Sequence, residues 1–103
     1  MTKPPLFEEE ADAEYRAAAR WYEERVAGLG IDFLDAVDAT LDQIVRLPRA
    51  GAPVRRVPTE LQVRQAPVKR FPYRVVYLET SSAIRVLAIA HDRRRPGYWT
   101  SGL

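Results

Sequence analysis

Apolar residues recur at helical spacing through the first half of the chain and at the two-residue spacing of strands through much of the second. Ala11, Tyr15, Ala18, Tyr22 and Val26 lie three or four positions apart, so a helix starting near Glu9 gathers them on one face. Ala17, Ala18 and Ala19 raise its propensity, and Glu8, Glu9 and Glu10 suit the positive end of its dipole. Gly28-Leu29-Gly30 is expected to end this helix, because glycine tolerates positive φ. A second helix then opens on Asp32 as N-cap. Phe33, Val37, Leu41 and Ile44 form its stripe, with Leu34 and Val45 beside them and Asp35, Asp38 and Asp42 on the opposite side. Pro48 stops it, since the residue before a proline is driven out of helical geometry. So short a connection makes the two helices an antiparallel hairpin. Their acids are read as a solvated face opposite the apolar stripe rather than as a carboxylate cluster.

Strand signals frame this hairpin. Pro4 and Pro5 extend the N-terminus, and Leu6-Phe7-Glu8 fits a short edge strand. A proline- and glycine-rich loop, Pro48 to Pro58, carries Arg49, Arg55 and Arg56. Leu61 to Ala66 alternates apolar and polar residues as a half-buried strand does, and Pro67 closes it. Two β-rich runs around a Thr80–Ala83 turn then predict an antiparallel hairpin. Even alternation would place Tyr73, Val75 and Tyr77 on one face with Ile84, Val86, Ala88 and Ala90. Arg74, Val76 and Leu78 would share the other face with Arg85, Leu87, Ile89 and His91. Both faces are largely apolar, which marks inner strands.

The resulting expectation is an α+β fold: an N-terminal antiparallel helical hairpin packed on a three- to four-stranded twisted antiparallel sheet, in a single domain over residues 1–103. The helices cover one face of that sheet. The other is expected to be a concavity with Arg74 and His91 at its end. Pro96 to Trp99 should turn the tail, with Trp99 against the sheet edge, while Trp21 and Tyr22 serve as core and flank of the first helix.

Composition narrows the functional classes. The chain has no cysteine and one histidine, which leaves no thiolate or multi-histidine metal site within it. No apolar run approaches the roughly 20 residues that cross a bilayer. The N-terminus lacks a signal-peptide segment, so a cytoplasmic protein without a membrane partner is expected. The formal charge of +2 conceals a strong asymmetry. Residues 1–45 carry four basic and eleven acidic side chains, whereas residues 46–103 carry twelve basic and three acidic ones. The second half is therefore suited to an anion, either a nucleic acid or an acidic protein segment. Only Lys3 and Lys69 among the basic residues are lysine; arginine suits forked contacts to phosphate or carboxylate, and a GC-rich genome would enrich it equally.

The runs Phe71-Pro72-Tyr73-Arg74-Val75-Val76-Tyr77 and Ala88-Ile89-Ala90-His91-Asp92-Arg93-Arg94 resemble the RelE/ParE superfamily of bacterial toxins. Trp21-Tyr22-Glu23, Gly28-Leu29-Gly30 and Asp32-Phe33-Leu34 fit it too, as does the order of elements. The resemblance implies the toxin of a type II toxin–antitoxin pair, needing no cofactor and neutralised by a cognate protein antitoxin in a hetero-oligomer. Two targets are known in that superfamily. ParE-like members trap DNA gyrase on cleaved DNA, and RelE-like members cut messenger RNA on the ribosome.

For the nuclease, the resemblance implies Arg74 on the phosphate, His91 as base or acid, and Tyr98 stacked on a base. Arg93 and Arg94 would brace the phosphate. With Arg64, Lys69, Arg70, Arg95 and Trp99 they form the candidate nucleic-acid or partner surface. RelE-like nucleases, however, carry a pair of lysines where this chain has Val63-Arg64-Gln65-Ala66-Pro67, and an always-protonated guanidinium is a poor proton shuttle. That departure tips the expectation towards a gyrase poison. The ribosome-dependent endoribonuclease and a non-toxic member that only binds antitoxin remain as alternatives.

Overall fold

The two stripes of the first half become α1 (Glu9–Arg25) and α2 (Leu29–Arg46) in the computed structural model, which describes residues 3–55, 57–95 and 97–102. Arg56 of the proline-rich loop and Pro96 of the tail lie outside the described residues. Phe33, Val37, Leu41 and Ile44 are all buried, as the spacing predicts. On α1 the stripe holds at Ala11, Tyr15, Ala18 and Tyr22, but Val26 falls beyond the helix and is exposed.

The turn between the helices differs from the expectation. Gly28 alone takes positive φ, at 88°, while Leu29 and Gly30 already belong to α2. Asp32 therefore sits inside the first turn and caps nothing. The free N–H groups at the start of α2 are satisfied from α1 instead: Glu23 accepts the Gly28 N–H and the Gly30 N–H, each at 2.9 Å, one on each carboxylate oxygen. A carboxylate at that end also meets the positive pole of α2.

Five strands form one mixed sheet in the order β1-β5-β4-β3-β2, one or two strands more than expected. They are β1 (Pro5–Phe7), β2 (Ala52–Pro53), β3 (Arg64–Pro67), β4 (Tyr73–Glu79) and β5 (Ile84–His91). The added strand is the two-residue β2. β1 runs parallel to β5, so the sheet is not wholly antiparallel. Only the second part of the expected Leu61–Ala66 strand is extended, because Thr59–Leu61 winds into a 3₁₀ turn. The Thr80–Ala83 turn is as expected and closes through the Thr80 N–H on the Ala83 carbonyl at 2.8 Å.

Between the helices and the sheet lies an aromatic-rich core. The Phe33 ring is 5.4 Å from Tyr22, 5.2 Å from Phe71 and 5.0 Å from Tyr73, centroid to centroid. Buried Thr40 joins the layers by donating to the Pro67 carbonyl of β3 at 3.2 Å. The opposite face is not left open. Val63, Val76, Leu87, Ala88, Ala90 and Trp99 form a second buried cluster there, so the expected apolar concavity is filled in part by the chain's own tail.

Candidate functional site

Most of the candidate chemistry gathers where β3 and β5 finish and β4 begins, and a bulge decides which side chain meets which surface. Tyr77 pairs with Val86, but Val76 pairs with Ala88, which leaves Leu87 as an extra residue on β5. Up to the bulge the faces follow even alternation. Beyond it they are exchanged, because an extra residue in one strand shifts the side-chain phase against its neighbour. Ile89 and His91 now share the helix-side face with Val75 and Tyr73, and the His91 ring lies 5.0 Å from that of Tyr73. Arg74 lies opposite Ala90 on the other face. The expected pairing of Arg74 with His91 in one concavity is therefore corrected: they belong to opposite faces.

Arg64 also lies on the other face from Arg74, here through the regular register of β3 on β4. It pairs with Tyr77 on the helix-side face and donates to the Gly51 carbonyl at 2.9 Å, bracing the loop before β2. Its neighbour Gln65 shares the second face with Val76 and is the polar side chain that β3 offers to the Arg74 side. His91 is engaged locally, its Nδ1 accepting the Arg93 N–H at 3.0 Å. Arg74 reaches the His91 carbonyl at 3.5 Å and an Asp92 carboxylate oxygen at 3.4 Å, both long contacts.

Tyr98 is held by a residue the sequence reading did not single out. Its hydroxyl donates to Glu14 of α1, whose other carboxylate oxygen accepts the Ile89 N–H at 3.0 Å. β1 pairs with β5 only as far as Val86, so this side chain takes over where the edge strand ends. Burial raises the Glu14 pKa above its ordinary value, against its two hydrogen bonds and the Arg94 charge. Burial and then the Glu14 contact push the Tyr98 hydroxyl well above the usual phenol range. The sequence signal for Glu14 was available: a carboxylate three residues after Ala11 and four before Ala18, within the apolar stripe.

A raised carboxyl pKa makes the folded state hold the Glu14 proton more tightly than the unfolded chain does. Its contribution is then greatest below the unfolded value near 4.5 and is lost as pH rises through the higher folded value. Thermal melts of wild type and Glu14→Gln across that window should show the wild type losing stability relative to the variant as pH rises. A difference that grows in the other direction would mean that the hydrogen bonds outweigh burial.

Two cavities flank this sheet end. On the second face a cleft of about 850 Å³ is lined by Arg55, Gln65, Arg74, Asp92, Arg94 and Trp99, among others. On the helix side a groove of about 570 Å³ lies among Trp21, Tyr22, Tyr73, His91 and Arg94. Trp21 is 51% exposed with the Arg25 guanidinium 3.5 Å over its ring, so it is no core residue, whereas Tyr22 packs against the core as expected. Trp99 is only 4% exposed and lies on the second face rather than at the sheet edge, a buried anchor more than a contact surface.

Of the remaining cations, Lys69 and Arg70 project from the β3–β4 turn, where Arg70 takes φ 72°. Arg93, Arg94 and Arg95 are exposed after β5, and Arg94 stacks 3.9 Å over the Tyr98 ring. The arrangement can hold an anion between Arg55, Arg74 and Arg94. It does not bring a histidine, a second cation of β3 and Arg74 to one reacting phosphate. Among the described residues no group of three acids or histidines is placed to hold a metal, and no helix is long and apolar enough to cross a membrane.

A profile of the family described as ParE toxin of the type II toxin–antitoxin system parDE matches residues 6–96. The chain belongs to the ParE toxin family. This places it in the RelE/ParE superfamily that its motifs resemble, and on the ParE side. Among solved structures it is similar to a chain from the "Chromosomal ParDE TA system from P. aeruginosa", with TM-score 0.72 and 16% identity over 86% of this chain and 95% of that one. At that identity the likeness concerns the fold. No curated protein matches. As a ParE-family toxin the chain keeps the two-helix hairpin on its sheet, with Lys69, Arg70, Arg74 and Arg93 to Arg95 near the end where β4 begins and β5 finishes.

Proposed function

We propose that this ParE-family toxin arrests growth by acting on DNA gyrase, without cutting RNA, and is held inactive by a protein antitoxin. One observation carries the nonenzymatic part: Arg74 lies on the opposite face of the sheet from both His91 and Arg64. Self-cleavage of RNA needs a proton acceptor, a stabilised phosphorane and a proton donor at one phosphate. Here the only histidine is committed to the turn after β5 and the tyrosine hydroxyl to Glu14. The gyrase target itself rests on family membership. The antitoxin is expected to meet the basic sheet end or the aromatic groove beside it, where acidic residues would be complementary.

Inducing the chain in bacteria, with and without its antitoxin, tests this reading. DNA breaks and an SOS response with intact messenger RNA are expected, and His91→Ala should stay toxic. Codon-phased messenger RNA cuts that vanish in His91→Ala would overturn it.

A further inference from the structure

The three guanidinium groups of the second-face cleft come from separate parts of the chain: Arg55 from the loop after β2, Arg74 from β4 and Arg94 from the turn after β5. Such convergence is not the pattern of a merely solvated charge run. Arg74 is held deep, its side chain 19% exposed, yet its contacts to Asp92 and the His91 carbonyl are both at the long limit of hydrogen bonding. Its forked edge is consequently far from saturated. Arg94 uses the flat side of its guanidinium on the Tyr98 ring, which leaves its N–H edge for another partner. Gln65 adds an amide, and buried Trp99 gives a firm floor. The carboxylate of Asp92 opposes an anion here, but its side chain is 56% exposed and free to turn outward.

We infer that this cleft binds the phosphodiester backbone of a nucleic acid, Arg74 releasing Asp92 to take the phosphate while Arg55 and Arg94 close on either side. Resting on the gyrase reading above, the source is DNA, which that target holds. The toxin then touches the DNA directly rather than the enzyme alone. Three guanidinium groups against one carboxylate leave a cationic cleft, and contacts of this kind position a backbone without reading its sequence.

Fluorescence anisotropy of labelled DNA and RNA oligonucleotides, titrated with the full chain over a range of salt, tests the inference. Wild type should bind DNA with a strong salt dependence. Arg55→Gln, Arg74→Gln and Arg94→Gln should each weaken binding roughly tenfold, the loss expected for one charged hydrogen-bonding contact. Each should also lower the magnitude of the slope of log affinity against log salt by about one. Asp92→Asn should tighten binding, because it frees Arg74. Arg16→Gln, on exposed α1 and paired with Asp12, removes the same charge away from the cleft and should change little.

Equal losses in Arg16→Gln and the cleft variants would overturn the inference, as would unchanged or weaker binding in Asp92→Asn. No DNA binding at any salt would overturn it too, and a tenfold preference for RNA would remove DNA as the source. Arg55 is exposed on a loop, so its variant reports on binding even if Arg74→Gln fails to fold. The assay contains no gyrase. Its failure therefore removes the cleft and leaves the gyrase reading standing, whereas messenger RNA cleavage in cells removes the gyrase reading.

Discussion

Replacing Phe33 by alanine is expected to remove about 3–5 kcal/mol of stability. The ring is fully buried where α2 meets the sheet, and four aromatic neighbours, Tyr15, Tyr22, Phe71 and Tyr73, pack around it. Those neighbours are themselves fixed by the helices and by the turn before β4, so they cannot collapse far into the space left behind. A chain of this size has only about 5–15 kcal/mol in all. The melting temperature should fall by roughly 15 °C or more, and Phe33→Leu should recover much of the loss. A shift of only a few degrees in Phe33→Ala would mean that the helix pair is not anchored through this ring.

The second large effect is expected at Gly30, with a sign opposite to the usual one. In an open helix, glycine to alanine stabilises by about 1 kcal/mol. Here an added Cβ would stand 2.6 Å from the Ala19 carbonyl oxygen and 2.9 Å from the Glu23 Cβ. The first is backbone and cannot swing aside, so the helices must separate. Separation would also draw the Glu23 carboxylate away from the two N–H groups it caps. Gly30→Ala should therefore cost roughly 1–3 kcal/mol as an overpacked contact, read as a lower denaturant midpoint. A stabilised variant would show that α1 and α2 do not approach this closely.

The sequence made some of this architecture readable and hid the rest for physical reasons. The stripe from Phe33 to Ile44 and the Thr80–Ala83 turn are local patterns, and local patterns survive into the fold. Asp32 has the residue type of a cap but does not cap α2, because that cap comes from Glu23, on a different helix whose approach depends on Gly30. β2 is two residues long, too short to carry any periodicity. Trp99 and Tyr98 could be placed near the sheet but not on a face, since their positions follow from Glu14 and from the second cluster. Arg74, His91 and the arginines after β5 do come together at one end of the sheet. The division of Arg74 from His91 between faces turned on one extra residue, Leu87, which looks like any other apolar residue of β5.

That bulge also separates two kinds of length change in β5. Deleting Leu87 would let Val86 and Ala88 follow Tyr77 and Val76 in even alternation, with Ile89 and His91 still opposite Val75 and Tyr73. Inserting one residue between Leu87 and Ala88, with the bulge kept, would instead move every later residue one position along β4 and turn its side chain to the other face. The histidine would then emerge on the side of the basic cleft, with no substitution at either site.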